Sequence, residues 1–230
     1  MKLYIIHGWT YTLSHWSETI SDLKQHDIDV IPLRVPGLTE PSEAVWTIDT
    51  YVDWLSEKLR DDPHPIVLGH SNGGRIALNL LSKHPDRFRH LILLNSAGIN
   101  LDTASISRKR QVFMLASRLL RPLKHIPVVR RVVYRLIGGS DYDNAPPNMK
   151  RTLTNMLSSD AMLDITHITT PTTILWGKQD KTTPIELGRK IARLMPQANI
   201  KEFEDWKHAP YITHPHELSA AIIDTLEGIK

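Results

Sequence analysis

Six short apolar runs rich in β-branched residues recur along the chain, at positions 3–6, 28–33, 65–69, 90–95, 172–176 and 199–203. Runs of this length, closed by polar or turn-forming residues, are what strands buried on both faces look like. Between them the apolar positions change to a three-four spacing. Val45, Ile48, Val52, Leu55 and Leu59 define a helix over 46–59, which Thr47 or Asp49 can start and which ends before Pro63. Ile76, Leu80 and Leu81 give a helix from Gly74 to Lys83 its buried face, and Pro85 stops it. Residues 185–194 and 217–226 carry two more such patterns. Strands alternating with helices predict an α/β fold: a mostly parallel sheet of about six strands, covered by helices on both faces and joined by right-handed crossovers.

Residues 103–155 break the alternation and contain no convincing strand. Val112, Leu115, Ala116 and Leu119 mark one amphipathic helix. Val128, Val129, Val132, Val133, Leu136 and Ile137 mark a second, which Pro127 can open and Gly138-Gly139 can close. Pro146-Pro147 opens a third, with Leu153, Met156 and Leu157 on its inner side. The expected organisation is therefore a core of residues 1–102 and 156–230 interrupted by a helical insertion at 103–155. No internal repeat or low-complexity segment is visible.

Composition narrows the class. At 230 residues, 41% of them hydrophobic, the chain is long enough for one domain with a sizeable core. No apolar run approaches the roughly 18 residues of a membrane span. Only four apolar residues separate Met1-Lys2 from His7, too few for a secretory leader, so a cytoplasmic location is expected. The chain has no cysteine, which rules out disulfides, thiol catalysis and thiolate metal sites. Its 12 histidines form no H-E-x-x-H or comparable cluster, so no metal is expected.

The net charge of +3 hides a division. The insertion holds eleven basic residues (among them Arg130, Arg131 and Arg135) against Asp141 and Asp143, or +9; the rest holds 17 basic against 23 acidic, or −6. Such a basic helical segment suits an anionic partner: an acidic carrier protein, an anionic membrane surface or a charged substrate tail. It is equally the composition of a solvated exterior balancing an acidic body. Nucleic acid is not expected, because no recognised binding fold accompanies the charge.

The candidate chemistry starts where the third apolar run ends, at Gly69-His70-Ser71-Asn72-Gly73, with a helix immediately behind. This is G-x-S-x-G at a strand-to-helix turn. A nucleophile elbow holds its serine in a strained conformation, and the residues two positions away on either side must be small. Gly69 and Gly73 meet that need. Two further segments follow strand-like runs: His7-Gly8-Trp9, and Trp176-Gly177-Lys178-Gln179-Asp180; Lys207-His208-Ala209-Pro210 comes last. The order Ser71, Asp180, His208 is the one that this machinery takes on an α/β-hydrolase sheet. In these roles Ser71 is the nucleophile, His208 the base and Asp180 its orienting acid, while the backbone N–H groups of Trp9 and Asn72 form the oxyanion hole. Asp205 and Asp102 are rival acids; the Trp-Gly-x-x-Asp turn favours Asp180. His70 and His7 read as structural, and His214 as a surface or capping residue.

Taken together, the His7-Gly8-Trp9, Gly69 to Gly74, His84-Pro85-Asp86-Arg87-Phe88, Trp176 to Asp180 and His208-Ala209-Pro210 segments resemble the α/β-hydrolase family, in its lidded serine esterase branch. That branch includes methyl ester esterases acting on carrier-bound acyl chains, small carboxylesterases, C–C bond hydrolases and cofactor-free haloperoxidases. The resemblance implies that residues 103–155 form a lid over the active site and that no cofactor is used. It also implies a small-molecule ester as substrate, with C–C bond or thioester cleavage, haloperoxidase activity or a non-catalytic binding role as alternatives. Trp9, Phe113, Met114, Leu115 and Met156 are candidate pocket residues or simply lid core. Two departures stand out. Lys207 occupies a position that is glycine in many relatives, and no hairpin precedes the first strand, so a sheet about two strands shorter is expected.

Overall fold

In the computed structural model the described residues are 1–9, 12–100 and 145–229. All six expected strands form: β1 (Lys2–Ile6), β2 (Asp29–Leu33), β3 (Ile66–His70), β4 (His90–Leu94), β5 (Thr172–Gly177) and β6 (Ala198–Phe203). They make one parallel sheet in the order β2-β1-β3-β4-β5-β6.

Alternation along each strand sorts the core into two layers. Tyr4, Ile6, Val67, Leu91, Leu93, Ile174 and Trp176 face one way; Leu3, Ile5, Ile66, Leu68, Ile92, Leu94 and Leu175 face the other. Helices α2 (Ile48–Lys58), α3 (Asn72–Lys83), α4 (Pro147–Ser159) and α5 (Ile185–Leu194) bury their apolar stripes on the first layer. Helices α1 (Ser17–Gln25) and α7 (Pro215–Glu227) pack against each other and on the second, with the short α6 (Pro210–Thr213) beside them. Thr47 caps α2 through a reciprocal pair of hydrogen bonds with Thr50, as the sequence allows.

The strand order decides where a site can form. From β1 the chain crosses one face through α1 to β2; from β3 it crosses the other through α3 to β4. The crossover direction therefore reverses between β1 and β3, and the carboxyl ends of strands at such a switch point are the usual ligand position in open α/β sheets.

Two details differ from the sequence reading. Helix α1 is additional to the expected elements; Trp16, Ile20 and Leu23 have its spacing, and Trp16 and Leu23 are fully buried. On α4 the buried positions are Met149, Thr152 and Met156, while Leu157 is 59% exposed. A 100° step per residue carries Leu157 round to the solvent side. Met156 is fully buried in the core among the described residues. The helices expected around 112–119 and 128–137, with Phe113, Met114 and Leu115, lie outside the described residues, as do Arg130, Arg131, Arg135 and Asp102.

Candidate active site

Ser71 sits between β3 and α3 at φ 52°, ψ −121°, a left-handed conformation that a non-glycine residue adopts at a cost of about 1–3 kcal/mol. The turn is held from three sides: the Ser71 carbonyl accepts from the N–H groups of Gly74, Arg75 and Ala97, at 3.1, 3.3 and 3.0 Å. It is also so tight that side chains would not fit around it. A Cβ on Gly73 would lie 1.8 Å from the Ile6 carbonyl oxygen, and one on Gly69 2.6 Å from the Gly74 Cα. The spacing of the two glycines around Ser71 is thus a packing requirement of α3 against β1 and β3.

The other two residues come to Ser71 from the segments that follow β5 and β6. The His208 Nε2 is 3.2 Å from the Ser71 Oγ, and its Nδ1 is 2.7 Å from the Asp180 Oδ2. Since an ionised carboxylate only accepts, Nδ1 carries the proton and Nε2 presents its lone pair to the serine hydroxyl. The Asp180 side chain is fully buried and that of His208 is 26% exposed, so the acid is sealed while the imidazole edge stays open.

Asp180 is held in place by its own turn. Its Oδ1 accepts from the backbone N–H groups of Thr182 (2.7 Å) and Thr183 (2.9 Å), and its Oδ2 accepts from the Thr183 hydroxyl at 2.7 Å. Asp205, the rival acid, is exposed and accepts from the Gln179 amide.

The turn after β1 lies directly against the elbow. A Cβ on Gly8 would fall 2.7 Å from the Ser71 Cβ and 3.2 Å from the Asn72 nitrogen, so only glycine lets the two loops approach this closely. Half-buried Trp9 continues this turn, and the Asn72 N–H opens α3, where backbone donors have no partner within the helix.

A family model described as alpha/beta hydrolase family matches residues 3–221. The chain belongs to the α/β-hydrolase family. Among similar curated proteins is the pimeloyl-[acyl-carrier protein] methyl ester esterase of Neisseria meningitidis serogroup A, 25% identical over 99% of this chain and 77% of its own length. Two solved structures share the fold, each at TM-score 0.70. One is an alpha/beta hydrolase enzyme from the metagenome of Mar Chica lagoon sediments, 22% identical over 99% of this chain and 91% of its own. The other is a meta-cleavage product hydrolase from Pseudomonas fluorescens IP01, 16% identical over 100% and 92%.

Two buried polar clusters flank the elbow of this hydrolase. On the α1/α7 side, His7 and His70 stack with ring centroids 4.7 Å apart, enclosed by Trp16 and Tyr211. His70 Nε2 is 2.8 Å from the His208 carbonyl oxygen, which can only accept, so Nε2 carries the proton of the neutral ring. Its Nδ1 then accepts from the His7 Nδ1–H at 3.0 Å, and His7 Nε2 accepts from the Tyr211 hydroxyl at 3.4 Å. The Trp16 indole also approaches His7 Nδ1, at 3.4 Å; that atom cannot donate and accept at once, and the shorter contact prevails. Burial, and then the neighbouring histidines, lower the His7 pKa to about 3 and hold that of His70 well below the usual histidine range.

On the α2/α3 side, Arg75 forms a two-pronged ion pair with Asp160, Nε to Oδ1 at 2.7 Å and Nη2 to Oδ2 at 2.9 Å, with both side chains almost fully buried. Its remaining nitrogen, Nη1, donates to the Asn72 side-chain oxygen. The pair ties the elbow helix to the residue that ends α4.

The sequence reading missed Thr183, Asn95, Arg75 and Asp160. The first had a signal: threonines two and three residues after an aspartate at a strand end mark a side-chain-capped turn. The ion pair joins residues 85 apart in sequence and has none.

Proposed function

We propose that this hydrolase cleaves carboxylic esters through an acyl-enzyme formed on Ser71. The carrying observation is the hydrogen-bonded series from the Ser71 hydroxyl through His208 to buried Asp180. In the first half-reaction the Ser71 Oγ bonds to the ester carbonyl carbon as its proton passes to His208 Nε2. The carbonyl π pair moves onto oxygen, where the N–H groups of Trp9 and Asn72 receive it. Collapse breaks the bond to the alkoxy oxygen, and the proton on His208 leaves with the alcohol. Water then repeats the sequence against the acyl-enzyme and releases the acid. Asp180 holds the Nδ1–H tautomer throughout and stabilises the imidazolium.

The test is Ser71→Ala. Purified protein should turn over p-nitrophenyl esters, and the variant should lose on the order of 10⁴–10⁶-fold in kcat. A fluorophosphonate probe should label the parent and not the variant. Unchanged turnover in Ser71→Ala would refute the reading; a parent that neither labels nor hydrolyses would point to a binding role. A series of esters of increasing acyl length then measures the pocket.

The Neisseria relative is named for a methyl ester on an acyl-carrier protein, and the +9 insertion of this chain suits an acidic carrier. Carrier-bound acyl esters are therefore the substrate class we place first. Their kcat/KM should fall steeply with salt while that of p-nitrophenyl acetate does not. Equal salt response for the two would remove the carrier, and a rate increase on anionic vesicles would replace it with a membrane surface.

A further inference from the structure

Asn95 stands outside the proposed chemistry, yet it touches both sides of it. It is the first residue after β4, is completely buried, and takes a left-handed conformation at φ 42°. Its side chain makes three hydrogen bonds. Oδ1 accepts from the Gly177 N–H at 2.9 Å, and Nδ2 donates to the carbonyls of Lys207 at 2.8 Å and His208 at 3.1 Å. Both amide protons are thereby used on the two residues that present the imidazole.

The location gives these bonds their leverage. His208 lies in the irregular segment between β6 and α6, with no ladder of its own to hold it. That segment rests on the end of β5: a Cβ on Gly177 would lie 2.1 Å from the Trp206 carbonyl oxygen, and the Gln179 N–H donates to the same carbonyl at 3.1 Å. Gly177 begins the turn that carries Asp180. One asparagine therefore ties the end of β4, the acid turn after β5 and the histidine segment to a common point. His70, which precedes Ser71, is the second donor on the His208 carbonyl.

We infer that Asn95 is a positioning residue for hydrolysis: by joining Gly177 to the carbonyls of Lys207 and His208, it keeps the imidazole within reach of both Asp180 and Ser71. This rests on the esterase reading above. The competing role is purely structural, a buried asparagine that satisfies loop carbonyls. Misplacement of a reacting group by about 1 Å can cost 10²-fold in rate, whereas loss of fold stability leaves the rate per folded molecule alone.

The experiment uses Asn95→Gly and Asn95→Asp beside Ser71→Ala, with p-nitrophenyl acetate as substrate and rates normalised to folded protein. Glycine accepts the left-handed backbone and deletes all three bonds. Aspartate also tolerates it and keeps the acceptor for Gly177 but has no donor for the histidine segment. Both variants should lose about 100-fold in kcat with KM changed less than threefold. In Asn95→Gly, which adds no charge, the acid limb of kcat/KM should move to lower pH, because an imidazolium less well seated on Asp180 is less stabilised. Parent-like kcat and an unmoved acid limb in folded Asn95→Gly would overturn the inference, as would failure of both variants to fold, which assigns the residue to structure. If Ser71→Ala stays active, the esterase reading fails instead; if only Ser71→Ala is inactive, the reading stands and the role of Asn95 falls.

Discussion

The two polar clusters beside the elbow solve the same problem in opposite ways. Both bury nitrogen-rich side chains next to Ser71. On the α1/α7 side His7 and His70 are kept neutral, and each ring nitrogen is used once as donor or acceptor. On the α2/α3 side Arg75 is charged and matched by Asp160 over two parallel bonds. The difference follows from what each group can give up. Imidazole sheds its proton in a dry site at modest cost, whereas a guanidinium cannot and must be paired. The neutral cluster therefore responds to pH, and the ionic one responds to the loss of a partner.

The sharpest way to break this contrast is to remove one partner of the ion pair. Asp160→Ala leaves a buried guanidinium without its carboxylate and should cost about 3–5 kcal/mol of stability. The paired replacement Arg75→Met with Asp160→Leu removes both charges and should recover most of that loss. Urea denaturation of the single and double variants measures both. A double variant as unstable as Asp160→Ala would show that packing, not unpaired charge, sets the cost.

The neutral cluster makes the second prediction, with its sign fixed by the shifts. His7 and His70 have pKa values in the folded protein below the unfolded value near 6.5, with His7 at about 3. Between these limits the unfolded chain binds more protons, so stability is full above about pH 6.5 and falls as the solution is acidified. By pH 5.5 the two rings together should have cost about 2–3 kcal/mol relative to pH 7.5. Denaturation at the two pH values tests the size. Ring nitrogen shifts by NMR test the cause: both imidazoles should still be neutral at pH 5.5. Titration of either ring near pH 6 in the folded protein would end this account and the tautomer assignment with it.

Much of this architecture is visible in the amino-acid order, and what is hidden has a physical reason. The six strands show because each is buried on both faces and reads as an unbroken apolar run. Ser71 shows because its strained turn admits only small neighbours, which leaves two glycines in fixed positions. Asp180 and His208 show through the turns that carry them, so the three residues that the structure brings together could be named in advance. The alternating clusters do not show. Arg75 looks like an ordinary helix-surface cation until α4 is folded against it, and His70 gives no hint of the carbonyl it faces. Helix α1 has only the short pattern of Trp16, Ile20 and Leu23, too brief on its own to separate a helix from the turn after β1. Contacts between distant segments depend on how the layers stack, and a single sequence encodes that only through the finished fold.

The smallest effect expected lies at the outer end of the neutral cluster. The Tyr211 ring stacks on Trp16 with centroids 4.4 Å apart, and burial pushes its phenol pKa up, so it remains a neutral donor to His7. Tyr211→Phe keeps the stack and deletes only a hydrogen bond that is already long at 3.4 Å. The loss should be about 1 kcal/mol or less, set by the unsatisfied nitrogen left on His7. It should be the same at pH 7.5 and pH 5.5, because the phenol titrates in neither range. A loss of several kcal/mol would mean that the hydroxyl anchors the whole tautomer series, so that the neutral cluster depends on a single partner just as the ionic one does.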